Sequence, residues 1–310
     1  MAPPVPADPR FLDLQTDDPA QADWIVAGVP FDGSVIGRKG ARHGPAAIRE
    51  AMRFLASLDP DTGTDLAALR WHDAGDVEGL DPDDTLATHA TVRAATARLF
   101  SHGKPLVLLG GDHGLTFPHL QGFADARRDA GHEGGRIGII VIDAHYDLRA
   151  WEGQPTSGTP FRRLLEELEG LDLEPGNLVE IGIRPWANTA SLARYAKEQG
   201  VHVVTPAMLR RDGLDATIQD AIARATDGVD HLWLSIDIDG LDQSIAAGCS
   251  SPGAGGLTFD EAAAITAAAA RHPLFRGLDI LEVAPELDPT GNTPRTAAQL
   301  LATAMGARVG

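Results

Sequence analysis

The chain has 310 residues, 43% of them hydrophobic, and a formal net charge of −18 from 26 basic and 44 acidic side chains. A surface this acidic argues against nucleic acid or an anionic membrane as a partner, and no apolar run approaches the roughly 20 residues that span a bilayer. The single cysteine, Cys249, excludes a disulfide within the chain, and the Pro-rich start has no signal-peptide pattern. We therefore expect a cytoplasmic protein with a full hydrophobic core.

The predicted elements alternate between strand and helix almost throughout the chain. After an N-terminal arm at 1–22, expected to be loose, the predicted strands cover 24–29, 105–109, 137–142, 178–183, 201–204, 232–238 and 278–283. The predicted helices cover 45–55, 86–100, 115–130, 161–168, 191–199, 214–225, 259–270 and 294–305. The strands are continuous Val/Ile/Leu runs, which indicates a parallel sheet buried under helices on both faces. The sequence thus predicts one α/β domain over 23–310, with three α/β/α layers around a mostly parallel sheet.

Acidic and histidine side chains cluster directly after three of the predicted strands. Two of these groups have regular spacing, Asp-x-His-x-Asp after 137–142 and Asp-x-Asp at the end of 232–238. Alternate residues of a strand point to one side, so each group can converge. Because ligands bind beyond the carboxyl ends of parallel strands, all of these side chains are expected at one edge of the sheet. The candidate ligands are His113, Asp143, His145, Asp147, Asp237 and Asp239.

Four carboxylates and two imidazoles form a ligand set that suits Mn²⁺, with Zn²⁺, Co²⁺ or Fe²⁺ as competitors. Two such ions, about 3.5–4 Å apart, would hold a water between them and lower its pKa enough to give hydroxide at neutral pH. Either motif alone is more often a loop, a cap or a polar strand end. The two together, each after a buried strand, favour a binuclear metal site.

These motifs resemble those of a known family, the ureohydrolase superfamily of arginase and agmatinase. The resemblance covers nearly the whole chain and rests on GGDH at 110–113, DAHYD at 143–147, SIDID at 235–239 and EVAP at 282–285. It implies an arginase-like catalytic domain, commonly homo-oligomeric, that binds two Mn²⁺ ions per subunit and attacks an amidine-type carbon with the bridging hydroxide. The implied ligands are His113, Asp143, Asp147 and Asp237 for one ion, and Asp143, His145, Asp237 and Asp239 for the other.

Within the superfamily, four stretches resemble the formimidoylglutamase branch, whose members hydrolyse N-formimidoyl-L-glutamate to L-glutamate and formamide in histidine degradation. They are DAHYDLR at 143–149, PTSGTPFRR at 155–163, LDQSIAAGC at 241–249 and EVAPELD at 282–288. Two departures argue against arginase itself. Phe161 stands where arginase carries a histidine thought to shuttle protons, and no acid follows Arg184 where arginase has acids that bind its substrate.

A substrate with two carboxylates would need local positive charge in so acidic a protein, and arginine binds a carboxylate through two parallel hydrogen bonds. Arg149, two residues after a predicted metal ligand, is the main candidate, and Arg184 is a weaker one. Each could instead lie on the surface or pair with a nearby acid. Arg162 and Arg163 precede acids at helical spacing, so ordinary ion pairs are favoured for them.

Four further residues are candidates for contacts with the substrate or for proton transfer. By resemblance, Glu282 would accept hydrogen bonds from the protonated amidine nitrogens. In the mechanism that we expect, Asp147 relays a proton to the departing nitrogen. Ser157 and Thr159 could donate to a substrate carboxylate, or could equally cap the helix that follows them.

The sequence leaves two other functions open. One is hydrolysis of a guanidino acid or agmatine with release of urea, although Arg149 in the tail pocket would repel agmatine, which has no carboxylate. The other is a non-catalytic binding protein with the same fold, against which the complete ligand set argues.

Overall fold

The computed structural model describes residues 10–132 and 134–309. The strands in chain order are β1 (Trp24–Val29), β2 (Leu58–Asp59), β3 (Thr64–Asp65), β4 (Trp71–Asp76), β5 (Leu106–Gly110), β6 (Ile137–Ile142), β7 (Leu178–Ile181), β8 (His202–Val204), β9 (His231–Asp237) and β10 (Phe275–Leu281). The helices are α1 (Gly44–Met52), α2 (Thr85–Phe100), α3 (Thr116–Asp129), α4 (Pro160–Glu167), α5 (Ala190–Gln199), α6 (Pro206–Asp212), α7 (Leu214–Ala225), α8 (Phe259–Arg271) and α9 (Asn292–Gly306).

Eight of the strands form one sheet in the order β4-β1-β5-β10-β9-β6-β7-β8, with every neighbouring pair parallel. The short strands β2 and β3 form a separate antiparallel pair. In the centre of the sheet, Ile142 pairs with Ile236 and Leu281 pairs with Asp237. The carboxyl ends of β6, β9 and β10 therefore lie at the same level, and the residues after them meet at one edge.

Helices cover both faces of the sheet, which confirms the predicted three-layer α/β/α architecture. Ile140 and Ile142 of β6 face a core that includes side chains from α1, α6, α7, α8 and α9. Ile139 and Val141 face a second core with side chains from α2, α3, α4 and α5. Burial on both faces explains why the sequence of this strand is a continuous apolar run rather than an alternating one.

The N-terminal arm is not loose in its described part, so that prediction is wrong for 10–22. Phe11 and Leu14 are buried, and the ring of Phe11 stacks on Trp71 with centroids 5.6 Å apart. The indole N–H of Trp71 also donates to the main-chain oxygen of Phe11 at 3.1 Å. Burial of these apolar side chains holds the segment against the edge of the sheet, while 1–9 lie outside the described residues.

Four of these strands and helices were not predicted from the sequence: the short pair β2 and β3, strand β4 and helix α6. Strand β4 lies at the sheet edge and reads Trp-His-Asp-Ala-Gly-Asp, with its last three residues exposed, so it lacks the apolar run of the central strands. Helix α6 has only seven residues, begins at Pro206 and is capped by the Thr205 hydroxyl. Within the described ranges, no helix is both long enough and apolar enough to cross a membrane.

Candidate metal centre

His113 reaches the edge of the sheet through a tight turn after β5. A Cβ atom on Gly111 would lie 1.5 Å from the carbonyl oxygen of Phe31, so only glycine fits where these two segments meet. The Asp112 carboxylate then accepts from the N–H of Gly114 at 3.2 Å and caps the short turn that begins at His113. Asp112 supports the loop and is also bound by Ser34, through its N–H at 2.9 Å and its hydroxyl at 2.5 Å.

Asp143 and Asp237 follow the same local rule at the ends of β6 and β9. Asp143 Oδ1 accepts from the N–H of His145 at 2.6 Å, and Asp237 Oδ1 accepts from the N–H of Asp239 at 2.8 Å. These turns leave one oxygen of each carboxylate free to face the site. The convergence predicted from strand alternation thus arises from turns, since β6 ends at Ile142, before the first ligand.

The six predicted ligands come together in two overlapping groups. His113 Nδ1 lies 2.9 Å from Asp143 Oδ2, 3.0 Å from Asp147 Oδ2 and 3.3 Å from Asp237 Oδ2. His145 Nδ1 lies 3.4 Å from Asp143 Oδ1 and 3.2 Å from Asp239 Oδ2. Ligand atoms can therefore gather around two points that share Asp143. In this geometry Asp237 belongs to the His113 group, and the second group contains Asp143, His145 and Asp239.

The first group fits a metal ion better than it fits a hydrogen-bond network. His113 Nδ1 and Asp143 Oδ2 are buried 2.9 Å apart, yet neither makes a hydrogen bond of acceptable geometry with any described residue. One imidazole nitrogen also cannot donate to three carboxylates at once. Ligands at right angles around an ion, with bonds of about 2.1 Å, lie about 3 Å from one another. The observed spacings match that arrangement, so the residues present fit a divalent cation.

The electrostatics of the site also favour bound cations. Burial raises the pKa of Asp237 well above its ordinary value, and burial together with the Asp143 charge raises the pKa of Asp147 to about 6. Burial alone lowers the pKa of a histidine, but the surrounding carboxylates raise the pKa of His113 well above its usual range and that of His145 to about 12. Four carboxylates this close together can all ionise only with positive charge among them.

Glu282 lies beside this cluster, directly after β10. Its Oε1 accepts from the N–H of His113 at 2.9 Å, while its Oε2 is buried without a hydrogen-bond partner among the described residues. Burial and the neighbouring charge of Asp237 raise the pKa of Glu282 well above its ordinary value. Its backbone has φ = 63°, and that of Asp147 has φ = 47°. Such left-handed conformations cost about 1–2 kcal/mol in residues other than glycine, and strain of this kind is typical of functional sites.

With this geometry in view, a family model described as “Arginase family” matches residues 22–306. The chain belongs to the arginase family. It is 37% identical over 282 residues to the formimidoylglutamase of Halobacterium salinarum, which covers 90% of this chain and 86% of that protein. It is also 33% identical over 293 residues to the human mitochondrial guanidino acid hydrolase, with 94% and 79% of the two chains covered.

Solved structures of the arginase family have the same fold over almost the whole chain. The crystal structure of formimidoylglutamase from Bacillus subtilis superposes with a TM-score of 0.87 at 31% identity, covering 99% of this chain and 95% of that one. The Trypanosoma cruzi formiminoglutamase structure, described as containing Mn²⁺, gives a TM-score of 0.86 at 27% identity, with 97% and 98% covered.

Arg149 is exposed two residues after the predicted ligand Asp147, and its side chain lies over Gly158. A Cβ atom on Gly158 would come within 2.8 Å of Arg149 Nε, so the close packing depends on glycine at that position. The N–H of Arg149 donates to the Gly158 oxygen at 2.9 Å, which fixes the backbone. The guanidinium makes no hydrogen bond or ion pair with the described part of the chain, so its charge is available to a ligand.

The other arginine candidate has a structural role that the sequence did not predict. Arg184 is buried, and its guanidinium donates to the main-chain oxygens of Asp239 at 3.0 Å, Ser251 at 3.1 Å and Gly253 at 3.2 Å. Through these bonds Arg184 holds the loop after β9 against the loop after β7. Substrate contact by Arg184 stays a prediction.

The two hydroxyl candidates hold loops and do not cap α4. Ser157 Oγ accepts from the N–H of Ile36 at 3.2 Å, and Thr159 Oγ1 donates to the Thr156 oxygen at 2.7 Å. The N-terminus of α4 has no side-chain cap, so the capping alternative is wrong. Substrate contact by either hydroxyl stays a prediction.

Contacts behind the ligands were not predicted at all. His113 Nε2 lies 3.0 Å from Ser235 Oγ, and the Phe161 ring meets the His113 ring edge-on with centroids 5.2 Å apart. Ser235 lies in the SIDID motif, so its position next to two ligands was a usable signal. Asn188 bonds to the main chain of the loop that carries His145, and its sequence context gave no such signal.

Proposed function

We propose that this protein is a manganese-dependent formimidoylglutamase, which hydrolyses N-formimidoyl-L-glutamate to L-glutamate and formamide. The observation that carries the proposal is the pair of overlapping ligand groups that share Asp143. Relatives and solved structures named formimidoylglutamase match this chain over nine tenths of its length or more. The proposal assigns the chain to the hydrolases that act on linear amidine C–N bonds.

Two Mn²⁺ ions per subunit are proposed, on ligands that the chain brings together without any further group. His113, Asp143, Asp147 and Asp237 would hold one ion, and Asp143, His145 and Asp239 the other, with Asp237 as a second bridge if its carboxylate also turns toward His145. When bound, the ions would supply a hydroxide nucleophile by lowering the pKa of a shared water.

Glu282 is proposed to orient the substrate. Protonated amidine nitrogens are N–H donors, and the buried Oε2 of Glu282 has no hydrogen-bond partner among the described residues. A carboxylate fixed by the N–H of His113 would hold the formimidoyl carbon at a set distance from that histidine. In the reaction, water oxygen bonds to this carbon, the bond from the carbon to the glutamate nitrogen breaks, and the departing nitrogen takes up a proton.

Asp147 is proposed to deliver that proton. Its carboxylate lies 3.0 Å from His113 Nδ1, within the group of residues that would hold one ion, and carboxyl groups are common proton carriers in enzymes. The apolar Phe161, which lies against His113, cannot itself transfer protons.

Arg149 is proposed to bind a carboxylate of the glutamate portion. Its guanidinium is exposed and has no partner among the described residues. In a chain with a net charge of −18, this unpaired positive charge would attract a substrate that carries two carboxylates. The same feature keeps guanidino acid hydrolysis as a second candidate, because those substrates also carry a carboxylate.

A product assay separates the two candidates. Purified, Mn²⁺-loaded protein is incubated with N-formimidoyl-L-glutamate and, separately, with guanidino acids and agmatine. Formamide from the first substrate, without urea from the others, is the expected result. Urea release at a higher kcat/KM would overturn the formimidoylglutamase assignment in favour of the second candidate. No product from any substrate, with both ions bound, would indicate a non-catalytic binding protein.

A cytoplasmic location and a homo-oligomeric state are also proposed, on the single cysteine and on the family resemblance respectively. Fractionation of the producing cells tests the location. Sedimentation equilibrium of the purified protein tests the assembly, and a single species at 32.7 kDa would exclude an oligomer.

A further inference from the structure

The side chain of Asn188 binds the main chain on both sides of His145. Its Nδ2 donates to the oxygen of Ala144 at 2.8 Å, and its Oδ1 accepts from the N–H of Tyr146 at 3.1 Å. Both halves of the amide are therefore used on the loop that carries the predicted metal ligand. The bonds join segments 44 and 42 residues apart in the chain.

The two predicted histidine ligands are held in different ways. The His113 side chain is 1% exposed, and its ring is fixed through Nε2 by Ser235 and by edge contact with Phe161. The His145 side chain is 21% exposed, and its ring contacts only Asp143 and Asp239 through Nδ1 among the ion pairs and hydrogen bonds of the described chain. The position of the His145 ring therefore depends on its backbone.

The loop after β7 is built to present Asn188 to that backbone. Arg184 anchors the loop through three main-chain oxygens, and its own N–H donates to Ala144 O at 3.1 Å. Trp186 then turns the chain with φ = 66° before Asn188 returns to the same place. The Trp186 side chain is fully exposed, so the backbone makes this turn without packing of the ring.

We infer that Asn188 is a positioning residue for His145, and so for the manganese ion on the Asp143–His145–Asp239 side. The inference rests on the proposed function, because it assumes two bound ions. Partners that orient metal ligands from behind typically change metal affinity 10- to 100-fold when they are removed. Loss of the amide should therefore lower the affinity for this ion by about 10-fold or more. The affinity for the ion on the His113 side should stay unchanged.

The test titrates Mn²⁺ into metal-free protein and counts bound ions from the EPR signal of free Mn²⁺. Asn188→Ala removes both hydrogen bonds. Asn188→Asp keeps an acceptor for the Tyr146 N–H but places an oxygen against the Ala144 oxygen. Asn177 provides the matched control, because its Nδ2 donates to two main-chain oxygens, of Arg224 at 2.8 Å and Asp227 at 3.0 Å, away from the ligands.

The wild type is expected to bind two ions tightly. Both Asn188 variants should bind one ion with wild-type affinity and the other with reduced affinity. Asn177→Ala should lower the unfolding temperature and keep both ions at wild-type affinity. Wild-type affinity for both ions in the Asn188 variants would overturn the inference. An equal decrease in affinity for both ions in the Asn188 variants would also overturn it, and so would selective loss of one ion in Asn177→Ala. Either result indicates a general effect on the fold. A wild type that binds no pair of ions contradicts the proposed function itself, and the inference with it.

Discussion

Asp143 and Asp237 present their second carboxylate oxygens to the same atom, Nδ1 of His113, at 2.9 Å and 3.3 Å. Each does so because its first oxygen accepts a hydrogen bond from the N–H two residues farther along the chain. The two strands that precede them are neighbours in one parallel sheet. A local turn repeated at two adjacent strand ends is thus sufficient to build half of a metal site.

Removing these two aspartates should have different effects on metal content. Asp143 belongs to both ligand groups, so Asp143→Asn should bind neither ion firmly, whereas Asp237→Asn should keep at most one. Turnover should fall more than about 100-fold in each variant, which exceeds the loss typical of residues that only orient a metal ligand from behind. Metal analysis after gel filtration, together with the formamide assay, measures both effects. Full turnover by Asp237→Ala would refute the binuclear mechanism, and Asp220→Asn on α7 is the control.

Glu282→Gln should lose activity without losing metal. Glutamine preserves the size of the side chain but removes the negative charge that would face an amidinium. A decrease in kcat of about 100-fold or more is expected, the scale for removing one electrostatic contact to the reacting group. Glu286 is an exposed neighbour whose one ion pair among the described residues is with His43 at 3.5 Å, so Glu286→Gln should behave like the wild type. Unchanged kinetics for Glu282→Gln would remove Glu282 from the mechanism.

Arg149→Ala should raise KM more than it lowers kcat. A hydrogen bond to a charged group contributes about 1.5–3 kcal/mol, which corresponds to roughly a 10- to 100-fold increase in KM. Arg162→Ala removes an arginine that already pairs with Glu166 at 3.0 Å and should leave KM unchanged. Equal KM values for the Arg149 and Arg162 variants would show that the substrate carboxylate binds elsewhere.

Metal removal should destabilise the protein, because repulsion among the buried carboxylates is then balanced only by protons. Binding to the folded state alone stabilises it by about 4 kcal/mol when the free ion is at 1,000 times its Kd. The unfolding temperature should therefore rise steadily as Mn²⁺ is added back to chelator-treated protein, and much less so for Asp143→Asn. An unfolding temperature that is independent of Mn²⁺ would contradict a resident metal centre.

Acid should destabilise the fold through His89, which lies far from the metal ligands in sequence. Burial and the nearby Arg163 lower the pKa of His89 to about 3, so it is neutral in the folded state and accepts from the Arg163 guanidinium. The unfolded chain takes up a proton at about pH 6.5, so this part of the stability is present above that pH and is lost as the pH falls toward 3. The free energy of unfolding changes through this group by at most about 1.4 kcal/mol per pH unit.

Urea denaturation of the metal-free wild type and of His89→Gln between pH 7 and 4 tests this prediction. The free energy of unfolding should depend less steeply on pH in the variant, and parallel curves would contradict a role for His89.

The cluster of candidate metal ligands could be predicted because its members lie at, or a few residues after, the ends of strands that the sequence marks by an apolar run. No long-range information is needed when parallel strands end at one edge. The structural role of Arg184 could not be predicted, because its partners are main-chain oxygens of distant loops, which no residue pattern records. The two bonds of Asn188 to the His145 loop depend on tertiary contacts in the same way. Strand β4 escaped prediction because an edge strand with solvent on one side can be polar.

The left-handed backbone of Asp147 and Glu282 has a practical consequence for engineering. Glycine adopts that conformation without steric cost, so Asp147→Gly and Glu282→Gly would relieve strain and also eliminate buried carboxyl groups. A search for heat-resistant variants of the metal-free protein would tend to select such substitutions, and the selected variants would lose catalytic activity. Selection for thermal tolerance should therefore be coupled to a turnover screen at these two positions.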